Sequence, residues 1–192
     1  MKNILLGVTG SIAAYKAAEI VSGLTKAGHS VDVILTKGGA EFITPLTLQT
    51  LSKNRVFTDM FQLDYPREVE HISLAKKADL FLVAPASADA IGKLANGIAD
   101  DMLTTVALAV GGIPKLLAPA MNTRMYENPA VQENLARLER YGYRLIGPKE
   151  ALLACGDTGR GALADVDEIL RAVKESLRAA ATATRRPENE GE

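Results

Sequence analysis

A chain of 192 residues, 47% of them hydrophobic, fits one domain that buries roughly two-thirds of the surface its unfolded form would expose. Its 22 basic and 23 acidic side chains leave a formal net charge of -1, and no Lys/Arg run or aromatic-interleaved basic stripe argues for nucleic acid as a partner. The single cysteine excludes an intrachain disulfide framework, and no apolar stretch approaches the roughly 20 residues that span a bilayer.

The first apolar run breaks at Gly7-Val8-Thr9-Gly10 with no cleavage site behind it. It therefore reads as a buried strand over residues 3–8 and not as a signal peptide, and a cytoplasmic location is expected. A helix follows from Ser11 or Ile12 to about Lys26, closed by Gly28 where helices favour a left-handed residue. Val31–Leu35 is the second strand, and Thr44-Pro45 supplies an N-cap and first-turn proline for a helix through Leu51. Residues 53–70 are irregular, with a short strand plus loop. Asp79–Ala84 is a third buried strand, ended by Pro85. Helices are predicted over Ser87–Ala95 and Asp101–Val110, the latter opened by acidic Asp100-Asp101. Residues 115–118 form a fourth strand, Asn128-Pro129 starts a helix to about Arg140, and residues 143–146 form a fifth strand. An amphipathic helix covers about Val166–Ala179. The alternation implies an α/β fold: a doubly wound parallel sheet in a single, Rossmann/flavodoxin-like three-layer domain over residues 1–180. Residues 181–192 read as a disordered polar tail.

Such sheets bind ligands beyond the carboxyl ends of their strands, where the unusual residues fall. Gly7–Ile12 could bring backbone N–H groups and the Ser11 hydroxyl to a phosphate. It is neither a full dinucleotide fingerprint nor a Walker A loop, and it also reads as a tight strand-to-helix turn. Pro85–Asp89 has small residues against which a flat ring can lie, while Ser87 equally suits ordinary N-capping. In Pro119–Tyr126, Asn122 offers a neutral donor and acceptor that could hold a carboxylate without trapping it in an ion pair. The two methionines there read as packing. The glycine-dense Ala154–Gly161 surrounds the lone Cys155, which an exposed loop would make available as an acid or nucleophile. Its glycines suggest a mobile flap. His29 reads as a solvated turn residue and His71 as structural or catalytic. Neither has metal-ligand spacing with Cys155, so no metal site is expected.

These loops, in this order, resemble the homo-oligomeric flavin-containing cysteine decarboxylases over about residues 3–165. The matches are Gly10-Ser11-Ile12, His71–Ala75, Pro85–Ala90, Pro119–Met125 and Ala154–Gly161. Two departures stand out: Asp89-Ala90 replaces Asn-Thr, and Ala162-Leu163 replaces the Arg-Met that usually follows the flap. Arg160, two residues earlier, is a candidate replacement cation.

The resemblance implies an FMN-dependent carboxy-lyase converting 4'-phosphopantothenoylcysteine to 4'-phosphopantetheine in coenzyme A biosynthesis. The implied route is oxidation of the terminal thiol to a thioaldehyde, loss of CO2, and re-reduction of the enethiol. It further implies His71 as base or orienting group, Asn122 as carboxylate ligand and Cys155 as proton donor. Gly10, Ser11, Ile12, Thr36, Ser87, Ala88, Asp89, Ala120 and Met121 would surround the FMN. Ala154, Gly156, Gly159, Arg160 and Gly161 would form the substrate flap. Family members build the flavin site between subunits of a trimer, and trimers can assemble into dodecamers. Alternatives are oxidative decarboxylation of a peptide's C-terminal cysteine and a flavin-binding regulatory subunit without turnover.

Overall fold

The computed structural model describes residues 1–61, 69–152, 156 and 158–183. Six parallel strands form the central sheet in the order β3-β2-β1-β4-β5-β6. They are β1 Asn3–Val8, β2 Ser30–Leu35, β3 Val56–Phe57, β4 Leu80–Ala86, β5 Lys115–Pro119 and β6 Tyr143–Leu145. Apolar runs make these strands because both sheet faces are covered. Ile4, Leu6 and Val8 join one core with α1 (Ala17–Lys26), α3 (Pro45–Ser52) and α9 (Val166–Ala183). Leu5, Phe81 and Val83 join the other with α4 (Glu70–Lys77), α5 (Ala88–Asn96), α6 (Met102–Ala109) and α8 (Pro129–Arg140). The doubly wound three-layer architecture is therefore as expected. The chain order reverses between β1 and β4, which opens a crevice at their carboxyl ends.

Several boundaries differ from expectation for identifiable reasons. The helix after β1 begins as a 3₁₀ turn, Ile12–Lys16, before α1 takes over. Pro85 lies inside β4 and does not end it. Three residues of β4 there stand against two of β5, with Val83 paired to Leu117 and Ala86 to Pro119. A bulge tolerates a residue that has no N–H to donate. Helix α8 keeps its expected limits because Asn128 caps it through Ala130 N and Pro129 takes the first turn. Helix α9 continues to Ala183, and residues 184–192 of the expected tail lie outside the described residues. Two short helices were not foreseen, α2 (Lys37–Ala40) and α7 (Thr123–Tyr126). Nor was a two-stranded antiparallel ribbon of β7 (Lys149–Leu152) and β8 (Thr158–Ala162). Among the described residues no helix is long and apolar enough to cross a membrane.

Candidate active site

Of the loops that leave the carboxyl edge of the sheet, those after β1, β2, β4 and β5 each place a capping side chain there. Ser11 accepts from Ala13 N at 3.3 Å, Thr36 from Gly39 N at 3.1 Å, Ser87 from Ala90 N at 3.3 Å, and Asn122 from Arg124 N at 2.9 Å. The capping reading of Ser87 is thus correct, and it is compatible with a ligand role, because a cap residue sits where helix N–H groups face outward. Asn122 uses its Oδ1 on α7, and only the Nδ2 side of its amide can donate to a carboxylate.

The β1 and β4 loops are locked together by Thr9, which the motif search did not single out. Its side chain is 1% exposed. Oγ1 donates to the Pro85 carbonyl at 2.7 Å and accepts from Ser87 N–H at 2.8 Å. Replacing Thr9 by the isosteric Val leaves the Ser87 N–H without this acceptor. The expected cost is about 1–3 kcal/mol, visible as a lower urea midpoint at unchanged slope, with weaker flavin retention because the loop carrying Ser87 loosens.

Two adjoining cavities occupy the crevice. The first, about 610 Å³, is lined by Gly10, Ser11, Ile12, Ser87, Ala88, Ala120, Met121, Asn122 and Gly161, with Lys16 and Lys149 also on its wall. The second, about 740 Å³, takes Gly10, Thr36, Ser87, Ala88 and Asp89. Every residue expected around the cofactor therefore lines one or the other. Both volumes fall within the range of about 300–1,000 Å³ usual for cofactor sites. Gly10 and Gly38 let the β1 loop lie against the first residues of α2: a Cβ on Gly10 would lie 3.1 Å from Gly38 Cα. Small residues, apolar walls and hydroxyl groups at strand ends fit a flat, phosphorylated flavin.

The electrostatics of the two cavities differ. In the second, Lys93 lies 3.3 Å from Asp89 and 3.1 Å from Asp100, and the Asp100 hydrogen bond holds its ammonium above the usual lysine range. Asp89 thus belongs to the acidic second cavity and not to the first. At the rim of the first, Lys149 pairs with Asp165, and that hydrogen bond holds the Asp165 carboxyl below the usual range.

The ribbon closes over the Asn122 loop. Met121 N donates to Gly161 O at 2.9 Å, and a Cβ on Gly161 would collide with the Met121 carbonyl oxygen. A Cβ on Gly159 would run into Thr123. Gly156 instead has φ +89°, a backbone conformation that other residues resist, and no described residue lies within 4 Å of a Cβ placed there. The flap glycines therefore serve close approach at positions 159 and 161 and a turn at 156.

Not all expected residues converge. His71 lies in the first turn of α4 and lines neither cavity. Arg160 also lines neither: its Nε donates to Pro148 O at 3.4 Å, and its guanidinium stands 5.6 Å from the Tyr126 ring centroid. Ala154 and Cys155 lie outside the described residues. Sequence reasoning missed Thr9, Lys16 and Lys149. A buried threonine beside a Gly-Ser turn could have flagged the first, whereas no local pattern marks the two lysines.

The flavoprotein family model matches residues 1–178. A probable phosphopantothenoylcysteine decarboxylase of Streptococcus mutans is 55% identical over 177 residues, 92% of this chain and 99% of that protein. The coenzyme A biosynthesis bifunctional protein CoaBC of Bacillus subtilis is 49% identical over 170 residues, 88% of this chain but only 42% of that protein. Among solved structures, a cysteine-to-serine mutant of PPC decarboxylase complexed with pantothenoylaminoethenethiol superposes with TM-score 0.80 at 33% identity, covering 91% of this chain and 97% of that one. The FMN-dependent cysteine decarboxylase SpaF superposes with TM-score 0.82 at 30% identity, covering 94% and 98%. Fold, crevice and sequence agree, and the chain belongs to the flavoprotein family.

Proposed function

We infer that this flavoprotein is an FMN-dependent decarboxylase that converts 4'-phosphopantothenoylcysteine to 4'-phosphopantetheine in coenzyme A biosynthesis. The observation that carries the reading is the first cavity, where Ser11, Ser87 and Asn122 meet Gly161 of the ribbon. There a residue suited to a carboxylate adjoins a wall suited to a flavin. The 55% identity to a probable phosphopantothenoylcysteine decarboxylase supports the same substrate.

Loss of CO2 from a cysteine carboxylate requires an electron sink beta to it, and FMN, when bound, supplies the two-electron oxidation of C–S to C=S and its later reversal. Ser11, Ile12, Ser87, Ala88, Ala120 and Met121 would hold the cofactor. Asn122 Nδ2 fixes the carboxylate as a neutral donor, so CO2 departs without breaking an ion pair. His71 takes the thiol proton, and Cys155 returns a proton to the carbon that lost CO2. His71 lines neither cavity of its own chain, which favours a site completed by a second copy, as in the trimers and dodecamers of the resembling family. A cytoplasmic enzyme follows from the same pathway assignment.

The test is to purify the holoprotein, record its visible spectrum and follow CO2 from 4'-phosphopantothenoylcysteine. Wild type is expected to show bound FMN and turnover. Cys155→Ser is expected to release CO2 while an enethiol product accumulates, and His71→Asn to block the first oxidation. Bound flavin with no CO2 would remove this substrate, and folded protein without flavin would remove the reading altogether.

A further inference from the structure

Lys93 has no part in the chemistry assigned above, yet its charge is held in place at the wall of the second cavity. It lies one helical turn after Asp89 on α5, a spacing that puts both side chains on one face. Its ammonium stands 3.3 Å from Asp89 and 3.1 Å from Asp100, which comes from the connection to α6. The Lys93 side chain is only 25% exposed, whereas those of Asp89 and Asp100 are 73% and 52% exposed. Its hydrogen bond to Asp100 keeps the ammonium protonated.

Asp59, Asp89, Asp100 and Asp101 line the second cavity, against Lys93 and Lys37. Lys37 is exposed at the start of α2, where solvent screens its charge. Lys93 is therefore the cation that offsets the acidic wall from a mostly buried position. The two cavities share Gly10, Ser87, Ala88 and Met125, so a flavin held by these residues stands within the field of that charge. When the substrate's C–S group is oxidised, two electrons and one proton pass from it to FMN, and the thiol proton passes to a base. The bound cofactor thus gains one negative charge, and a fixed charge beside it acts unequally on its oxidised and reduced forms.

We propose that Lys93 sets the oxidising strength of the bound flavin, offsetting Asp89 and Asp100 so that the cofactor accepts electrons from the substrate's C–S group. Without the ammonium, two carboxylates act unopposed on a cofactor that becomes more negative on reduction. The reduced form is then disfavoured and the midpoint potential falls. Removing the charge of Asp89 has the opposite sign. Lys93 is thus not a catalytic residue: it acts through the charge it places beside the cofactor. This role rests on the reading of the crevice as a flavin site, but not on the identity of the substrate.

The midpoint potential of the FMN-loaded protein is measured by dye-coupled titration at low ionic strength. Wild type is compared with Lys93→Met, Lys93→Arg, Asp89→Asn and the double variant Lys93→Met/Asp89→Asn. A unit charge at roughly 10 Å, through an effective dielectric of 20, changes such an equilibrium about tenfold. Lys93→Met is therefore expected to favour oxidised over reduced flavin about tenfold more than wild type, a potential lower by about 30 mV for two electrons. Lys93→Arg is expected to keep the wild-type potential, Asp89→Asn to raise it, and the double variant to return close to wild type. A lysine that only ties α5 to Asp100 requires another pattern: Lys93→Met binds both oxidation states more weakly to the same degree, and its potential does not move. That pattern, or a fall that Asp89→Asn does not reverse, overturns the proposal. Should Lys93→Met not retain FMN, the effect is read between Asp89→Asn and the double variant, where a fall upholds the role of Lys93 and equal potentials reject it. If wild type holds FMN but releases no CO2 from 4'-phosphopantothenoylcysteine, the functional reading falls while the potentials still decide. Folded wild type that takes up no flavin removes both.

Discussion

Asn122→Asp is expected to release CO2 about ten-thousandfold or more slowly than wild type while keeping its flavin. The size follows from charge. A carboxylate in place of the amide exchanges a donor for an anion facing the substrate carboxylate, and like charges about 4 Å apart repel by about 4 kcal/mol at an effective dielectric of 20. Loss of the hydrogen bond to a charged group adds about 1.5–3 kcal/mol. The fold is spared because Asn122 caps α7 through Oδ1, which accepts from Arg124 N, and an aspartate accepts the same bond equally well. The isosteric change therefore separates chemistry from structure in a way that Asn122→Ala, which also removes the cap, does not. The measurement is kcat/KM for CO2 release beside the visible spectrum of the purified variant. Activity within tenfold of wild type would take the carboxylate away from Asn122.

The position of Asn122 was legible in the sequence because it closely follows an apolar strand, and the crevice lies beyond the carboxyl ends of such strands. The strands were legible for a similar reason. Sheet faces covered by helices demand unbroken apolar runs such as Leu80–Val83, and these cannot be mistaken for surface segments. What the sequence hid is what tertiary contacts create. The strands Lys149–Leu152 and Thr158–Ala162 carry Gly, Ala and charged residues with little strand preference. They pair because β8 is fastened to the Asn122 loop through Met121 N and Gly161 O. Pro85 read as a strand end because a proline lacks the ladder donor, yet a bulge accommodates it. Thr9 bonds partners 76 and 78 residues away, and Lys149 meets Ala162 only through the pairing of the ribbon. The motif around His71 was likewise visible, whereas its distance from both cavities is a property of how α4 packs. Sequence thus pointed to the segments that reach the crevice more readily than to the side chains that share a space within it.

The ribbon also supplies the second large expected effect. Gly161→Ala is expected to lower turnover about a hundredfold, the scale at which a misplacement of about 1 Å disables a site. A methyl group on Gly161 would collide with the Met121 carbonyl oxygen and come within 3.2 Å of Thr123 N and 3.3 Å of Asn122 C. All three are backbone atoms, so no side-chain rotation relieves the clash, and the ribbon must lift off the loop that presents Asn122. Overpacking of this kind costs about 1–3 kcal/mol, so a lower melting temperature should accompany the lost activity. Gly156→Ala provides the contrast. Its φ of +89° makes alanine strained, but among the described residues nothing lies within 4 Å of the added carbon, so Asn122 stays in place and the loss of activity should be much smaller. If the glycines served only to keep a flap flexible, the two variants would lose activity to a similar degree. A large gap between them, with Gly161→Ala the worse, means that this segment is glycine-rich chiefly so that a backbone can lie directly against the loop that carries Asn122.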